Sequence, residues 1–135
     1  MTQPEFLEPD VVLFLHDQAL REYGGIQGVK SEDLLHSALA RPVNKLAYAD
    51  PDTLDLCHLA AAYAYGLASN HPFNDGNKRT AWSSCVLFLK LNGKDTTASV
   101  AEVIEQMVGL ASGQLSETDF AAWLRSYSVS SGRRL

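Results

Sequence analysis

The sequence predicts an all-α protein, a bundle of about six helices with a functional loop held between two central ones. Three observations predict it. Apolar residues recur at three- and four-residue spacing in six separate segments. Helix start and stop signals punctuate those segments, with Ser, Asp or Pro before them and Gly or Asn after. Two of the segments are apolar nearly all round, as buried helices are, and only a short polar stretch, residues 70–76, joins them.

Pro9 suits the first position of a helix, and Gly24-Gly25 stops it after Tyr23. Val12, Leu13, Leu15, Ala19, Leu20 and Tyr23 give that helix its apolar repeat. Ser31 is a good N-cap for a second helix, with Glu32 and Asp33 complementing the dipole of its first turn. Its stripe is Leu34, Leu35, Ala38 and Leu39, and Pro42 is expected to limit it. Residues 41–53 carry two prolines and mixed polarity, and read as a loop with a short extended hairpin. Asp50-Pro51 reads as the N-cap and first position of a third helix reaching Asn70, rich in Leu, Ala and Tyr. The fourth spans residues 77–91 and stops at Asn92-Gly93. Ser99 and Glu102 have capping-box spacing for a fifth helix, to Ser112. Ser116 and Asp119 open a sixth, with Phe120, Trp123, Leu124 and Tyr127 expected to face inward. From about Ser128 the chain is rich in Ser and Arg and is expected to fray.

The 135 residues suit one domain over 1–135, and 46% hydrophobic with 20% charged residues is ordinary globular composition. A formal charge of -5 argues against a general nucleic-acid binder, which needs a basic face. No secretory leader pattern is present, and no apolar run reaches the roughly 18–20 residues of a membrane span. The two cysteines, Cys57 and Cys85, sit in apolar segments without metal-ligand spacing and read as buried thiols. A cytoplasmic setting is therefore the expectation. The charge is uneven: Lys78, Arg79, Lys90 and Lys94 against Asp75 give residues 71–94 a local +3, which leaves -8 on the rest.

The chemistry concentrates in the junction His71-Pro72-Phe73-Asn74-Asp75-Gly76-Asn77-Lys78-Arg79. A helix that starts just after Asp75-Gly76 offers unbonded N–H groups and the positive end of its dipole to an anion. Gly76 permits positive φ and close approach of a ligand. Lys78 and Arg79 add two cations, and Asn77 adds an amide that hydrogen-bonds without adding charge. Together they describe a phosphate cradle. Asp75 beside it suits Mg²⁺. An imidazole ordinarily titrates near neutrality, so His71 is a candidate general base for an incoming hydroxyl. Phe73 is expected to anchor the loop in the core. Taken singly, these residues read as a capped helix end, an N-cap and solvated charges; their convergence in nine positions carries the functional reading.

HPFNDGNKR resembles the HxFx(D/E)(A/G)N(G/K)R signature of the Fic/Doc family. The likeness extends to His16-Asp17, to Tyr23-Gly24-Gly25 and to residues 88–93, and covers roughly residues 8–127. Within the family it is nearest the Doc, or death-on-curing, branch. Fic adenylyltransferases usually have Gly where this chain has Lys78, and a second Arg, for terminal phosphates, where it has Trp82. Trp82 is expected to pack in the core.

The resemblance implies an all-helical fold and a toxin of a toxin–antitoxin system. It implies transfer of the γ-phosphate of ATP, with Mg²⁺, to a threonine of elongation factor Tu, which halts translation. His71 would be the base and Asp75 the metal ligand. Gly76, Asn77, Lys78 and Arg79 would hold the phosphates. Residues 41–53 fall where the family has a flap that aligns the target, with Lys45 and Tyr48 as candidate contacts. No [S/T]xxxE[G/N] self-inhibitory motif occurs, so inhibition is expected from a separate, Phd-like antitoxin. The competing readings are AMP transfer through the same loop, a non-catalytic binding module, and a metal phosphohydrolase suggested by the His16-Asp17 dipeptide.

Overall fold

The computed structural model describes residues 3–50 and 52–131. Six helices account for most of it: α1 (Pro9–Tyr23), α2 (Glu32–Tyr48), α3 (Leu56–Asn70), α4 (Asn77–Leu91), α5 (Val100–Ser112) and α6 (Glu117–Ser126). Two three-residue strands, β1 (Lys94–Thr96) and β2 (Ser128–Ser130), pair antiparallel, with Asp95 opposite Val129. The predicted all-α class and helix count hold.

α3 is the axis of the molecule. Leu59, Tyr63, Ala64 and Leu67 are fully buried, and α2, α4, α5 and α6 pack around them. Its run of small residues lets neighbours come close. A Cβ on Gly66 would lie 3.1 Å from the Ala38 carbonyl oxygen and 3.2 Å from Ala38 Cα, so the α2–α3 crossing is set by backbone contact. The Tyr63 hydroxyl accepts from the Leu7 N–H at 2.9 Å and ties the N-terminal segment to the core. Burial pushes that hydroxyl's pKa up, by removing water from the phenolate. Asn92 holds the same segment from the end of α4, exchanging hydrogen bonds with the Glu5 backbone at 2.8 and 2.9 Å. Cys57 and Cys85 are buried free thiols, as expected, and burial raises both thiol pKa values.

Four helices begin with the side-chain caps that the physics of orphan N–H groups favours: Ser31, Asp55, Ser99 and Ser116. The Ser99 box is half-formed. Ser99 accepts from the Glu102 N–H, but the Glu102 carboxylate turns to the Trp123 Nε1–H and the Tyr127 hydroxyl instead of back to the cap.

Three boundaries differ from the sequence reading. α2 does not stop at Pro42; it runs on to Tyr48, so residues 41–48 are helix where a loop with a hairpin was predicted. Pro42 removes the donor for the Ala38 carbonyl, and that is the oxygen against which Gly66 packs. On either side of Pro42, Arg41 and Lys45 both bind the Glu117 carboxylate on α6, which holds the extra turn. α3 begins at Leu56 rather than after Asp50, because Asp55 and His58 form a reciprocal capping box; Pro51 lies outside the described residues. Burial by itself raises the Asp55 pKa, yet hydrogen bonds from Arg125 and the His58 N–H outweigh it and hold the carboxyl below its ordinary range. Finally, residues 128–130 do not fray: they form β2, and Ser131 N–H donates to the Gly93 carbonyl at 3.0 Å. The tail beyond residue 131 lies outside the described residues. Among the described residues, no helix is long and apolar enough to cross a membrane.

Candidate active site

α3 and α4 are joined by residues 71–76. His71 closes α3 in the left-handed conformation (φ 49°), where it is the one non-glycine described residue with positive φ, and Gly76 opens α4 in the same region (φ 73°). Two left-handed residues thus reverse the chain between two buried helices.

The loop is fixed from three sides. From below, Phe73 is 1% exposed and its ring stacks on His16 of α1, centroids 3.8 Å apart and planes 10° from parallel. A carbonyl only accepts, so His16 Nε2–H donates to the Asp75 carbonyl at 2.9 Å. From within, Asn77 accepts from the Phe73 N–H and donates to the Phe73 carbonyl, each at 3.0 Å. From the side, the α1–α2 connection straps it: Val29 and Phe73 form a bridge, Lys30 and Ser31 N–H groups donate to the Pro72 carbonyl, and Asn74 N–H donates to the Gly28 carbonyl.

Asp75 is exposed, and its carboxylate is aimed. Oδ1 accepts from the Gly76 N–H at 2.9 Å, and Oδ2 accepts from the Ile26 N–H at 3.2 Å. A Cβ on Gly25 would come within 2.8 Å of Oδ2, so that glycine (φ 131°) makes the room. No side chain caps α4. Its first turn therefore keeps the N–H groups that an anion would need. Lys78 and Arg79 are exposed, and the Arg79 guanidinium lies 3.8 Å over the Tyr23 ring.

His71, Asp75, Gly76, Asn77, Lys78 and Arg79 all border one open cleft of about 790 Å³. The loop and α4 form its floor. Leu15, Ala19 and Glu22 of α1 line one wall, and Ile104, Met107 and Val108 of α5 the other. Trp82 packs against the core and Trp123, as expected, but is only half-buried and also borders the cleft. No described residue of the 41–53 segment lines the cleft. Lys45 is bound to Glu117 at 2.5 Å, and Tyr48 is 88% exposed on the surface. The two candidate target contacts are thus not brought to the site.

The 26–31 strap is a support that the sequence reading did not single out, and His16, named there for the family likeness and as half of a metal dipeptide, proves to be a brace of the loop. His16 had a signal: Val12, His16 and Ala19 share one face of α1, and that face is buried. The His16-Asp17 dipeptide is not a metal pair, because His16 is committed to the loop and Asp17 binds Arg21 at 2.8 Å. No group of three or more His, Cys, Asp or Glu fit to hold a metal occurs among the described residues.

Fold and site together define a small helical protein that presents a tightly held loop, with Lys78 and Arg79 beside an uncapped helix N-terminus, in an open cleft. A profile described as the Fic/DOC family matches residues 6–89. The chain is 34% identical to the protein named protein kinase doc of Escherichia phage P1 over 119 residues, covering 88% of this chain and 92% of that one. It is 38% identical to the protein named toxin Doc of Mycolicibacterium smegmatis over 94 residues, 70% of this chain and 69% of that one. The chain belongs to the Fic/DOC family.

Proposed function

We propose that this chain is a Doc-like toxin that transfers the γ-phosphoryl group of ATP to a hydroxyl side chain of a translation factor in the cytoplasm. The observation that carries the reading is the convergence of His71, Asp75, Gly76, Lys78 and Arg79 on one cleft, on a loop immobilised from three sides. The name protein kinase doc, borne by a relative aligned over most of this chain, favours phosphoryl transfer as the reaction.

In this mechanism His71 takes the proton of the target hydroxyl as its oxygen attacks the γ-phosphorus. The bond from that phosphorus to the β–γ bridging oxygen breaks, and ADP leaves. Lys78, Arg79 and the first-turn amides of α4 hold the phosphates and stabilise the charge that develops on them. Asn77 contributes by clasping the loop, since its side chain already bonds the Phe73 backbone. Mg²⁺ commonly binds through one or two carboxylates plus substrate phosphates, so the single aimed carboxylate of Asp75 fits it. Bound there, it would neutralise phosphate charge. A threonine of elongation factor Tu is the proposed acceptor, and a Phd-like antitoxin the proposed inhibitor.

AMP transfer is the second reading, because the loop itself serves either reaction. Trp82 weighs against it, since an indole cannot bind the terminal phosphates that leave in that chemistry. The two are separated by incubating the protein with elongation factor Tu and ATP labelled at the α or the γ phosphate. Label from the γ position only is expected, and label from the α position only would sink the kinase reading. His71→Ala should abolish both transfer and growth inhibition while leaving the thermal midpoint within a few degrees; a variant that stays toxic would refute the assignment of the base.

A further inference from the structure

The phosphate-binding reading uses only one end of the cleft. Much of the remaining lining is apolar, and it includes the indole of Trp82. Trp82 lies three residues after Arg79 on α4, about 4.5 Å further from the helix N-terminus. Residues three apart share a helix face, and both border the cleft. Trp82 packs on Trp123 with ring centroids 5.9 Å apart. Trp123 is itself held by Phe120 and Tyr127, at 5.4 and 5.9 Å, and by the hydrogen bond from its Nε1–H to Glu102. The indole is therefore braced by neighbours at fixed positions, while part of it stays accessible from the cleft. Across the cleft, Met107 and Ile104 of α5 supply apolar surface, Met107 only 4% exposed and Ile104 60% exposed.

A cationic cradle followed by a braced aromatic plane one helical turn further on suits a ligand with a polyphosphate at one end and a flat ring at the other. We propose that Trp82 is the platform on which the purine base of the nucleoside triphosphate stacks, with α5 forming the apolar side of the slot. Stacking on an aromatic face accepts any base and strengthens with ring area, so ATP and GTP should bind alike and both more tightly than CTP or UTP. The assignment rests on the nucleotide-transfer reading above, and it makes Trp82 a specificity-determining residue of that reaction.

Calorimetry on the full chain tests it with two probes, ATP and inorganic tripolyphosphate, which lacks the base. Trp82→Leu, which keeps apolar volume but removes the plane, should weaken ATP binding by at least about fivefold and leave tripolyphosphate binding unchanged. Trp82→Phe should restore most of the ATP affinity. Fluorescence of a Trp123→Phe chain, whose one indole is Trp82, should be quenched by ATP and not by tripolyphosphate; this readout needs no change at Trp82 and decides the matter should the Leu variant unfold. The proposal is overturned if Trp82→Leu binds ATP as the unchanged chain does, or loses both probes equally. It is overturned alone, with the cradle intact, if the unchanged chain binds ATP no better than tripolyphosphate. Binding of neither probe would overturn the nucleotide reading itself and this assignment with it.

Discussion

One missing methyl group, at Gly25, decides where the Asp75 carboxylate sits. A side chain there would meet Asp75 Oδ2 at 2.8 Å and Leu20 Cδ2 at 2.9 Å. Gly24, its neighbour, also has a backbone that favours glycine (φ 78°) but has nothing within 4 Å of a built Cβ. The pair forms an internal control. Both Gly→Ala changes carry backbone strain, on the order of 1–3 kcal/mol. Only Gly25→Ala also displaces Asp75. Thermal midpoints should therefore fall in both variants, while phosphoryl transfer per folded molecule should fall at least about tenfold in Gly25→Ala and stay near normal in Gly24→Ala. Equal losses of activity would show that the Asp75 position is not set by this contact. The same scale explains what could be read from the chain alone. His71 through Arg79 are contiguous, and contiguous residues at a helix start have their geometry dictated by local rules. His16 and Gly25 act across about 50 to 60 residues of sequence, through contacts that no local rule specifies.

At the scale of elements, α2 shows a local signal overruled by packing. Proline inside a helix costs about 3 kcal/mol in isolation, and by that measure α2 should end near residue 41. It continues because the turn after Pro42 is clamped: the Glu117 side chain is 10% exposed and binds both Arg41 and Lys45, while the Arg41 guanidinium also lies 4.6 Å over the Tyr65 ring. That clamp joins α2 to α6 across some 70 residues, and no pattern within residues 41–53 announces it. The misplaced start of α3 has the opposite cause, since both Asp50 and Asp55 are plausible caps and the reciprocal bond with His58 selects the second. Strand β2 is likewise invisible locally: three polar-flanked residues become a strand only because β1 offers an edge. Glu117→Ala leaves two cations facing each other without their anion. The loss should be about 1–3 kcal/mol, below the value for fully buried pairs because Arg41 is half-exposed. Hydrogen exchange should quicken selectively at residues 43–48. Uniform quickening throughout α2 and α3 would show that the clamp supports the whole bundle instead of the turn beyond Pro42.

For the whole molecule, the charge pattern sets two opposing fields on an anionic ligand. The chain is -5 overall, and the +3 of residues 71–94 is set against -8 elsewhere. Screening acts on these unequally, because the Debye length shrinks from about 30 Å at 0.01 M salt to about 10 Å at 0.1 M. At the lower salt an approaching nucleotide feels the net charge of the whole protein and is repelled. At the higher salt the distant carboxylates are screened, while Lys78 and Arg79, which border the cleft, still act at contact range. The association rate of ATP should accordingly rise between about 0.01 and 0.1 M salt, against the usual direction for a cationic site, and turn over only at higher salt. Lys78→Gln should lower the rate at 0.1 M and leave its rise with salt in place, since that rise comes from the acidic remainder. Stopped-flow measurement of binding across this range checks both points. A rate that falls monotonically from 0.01 M would mean that the cradle dominates at every distance, and that the acidic surface plays no part in admitting the nucleotide.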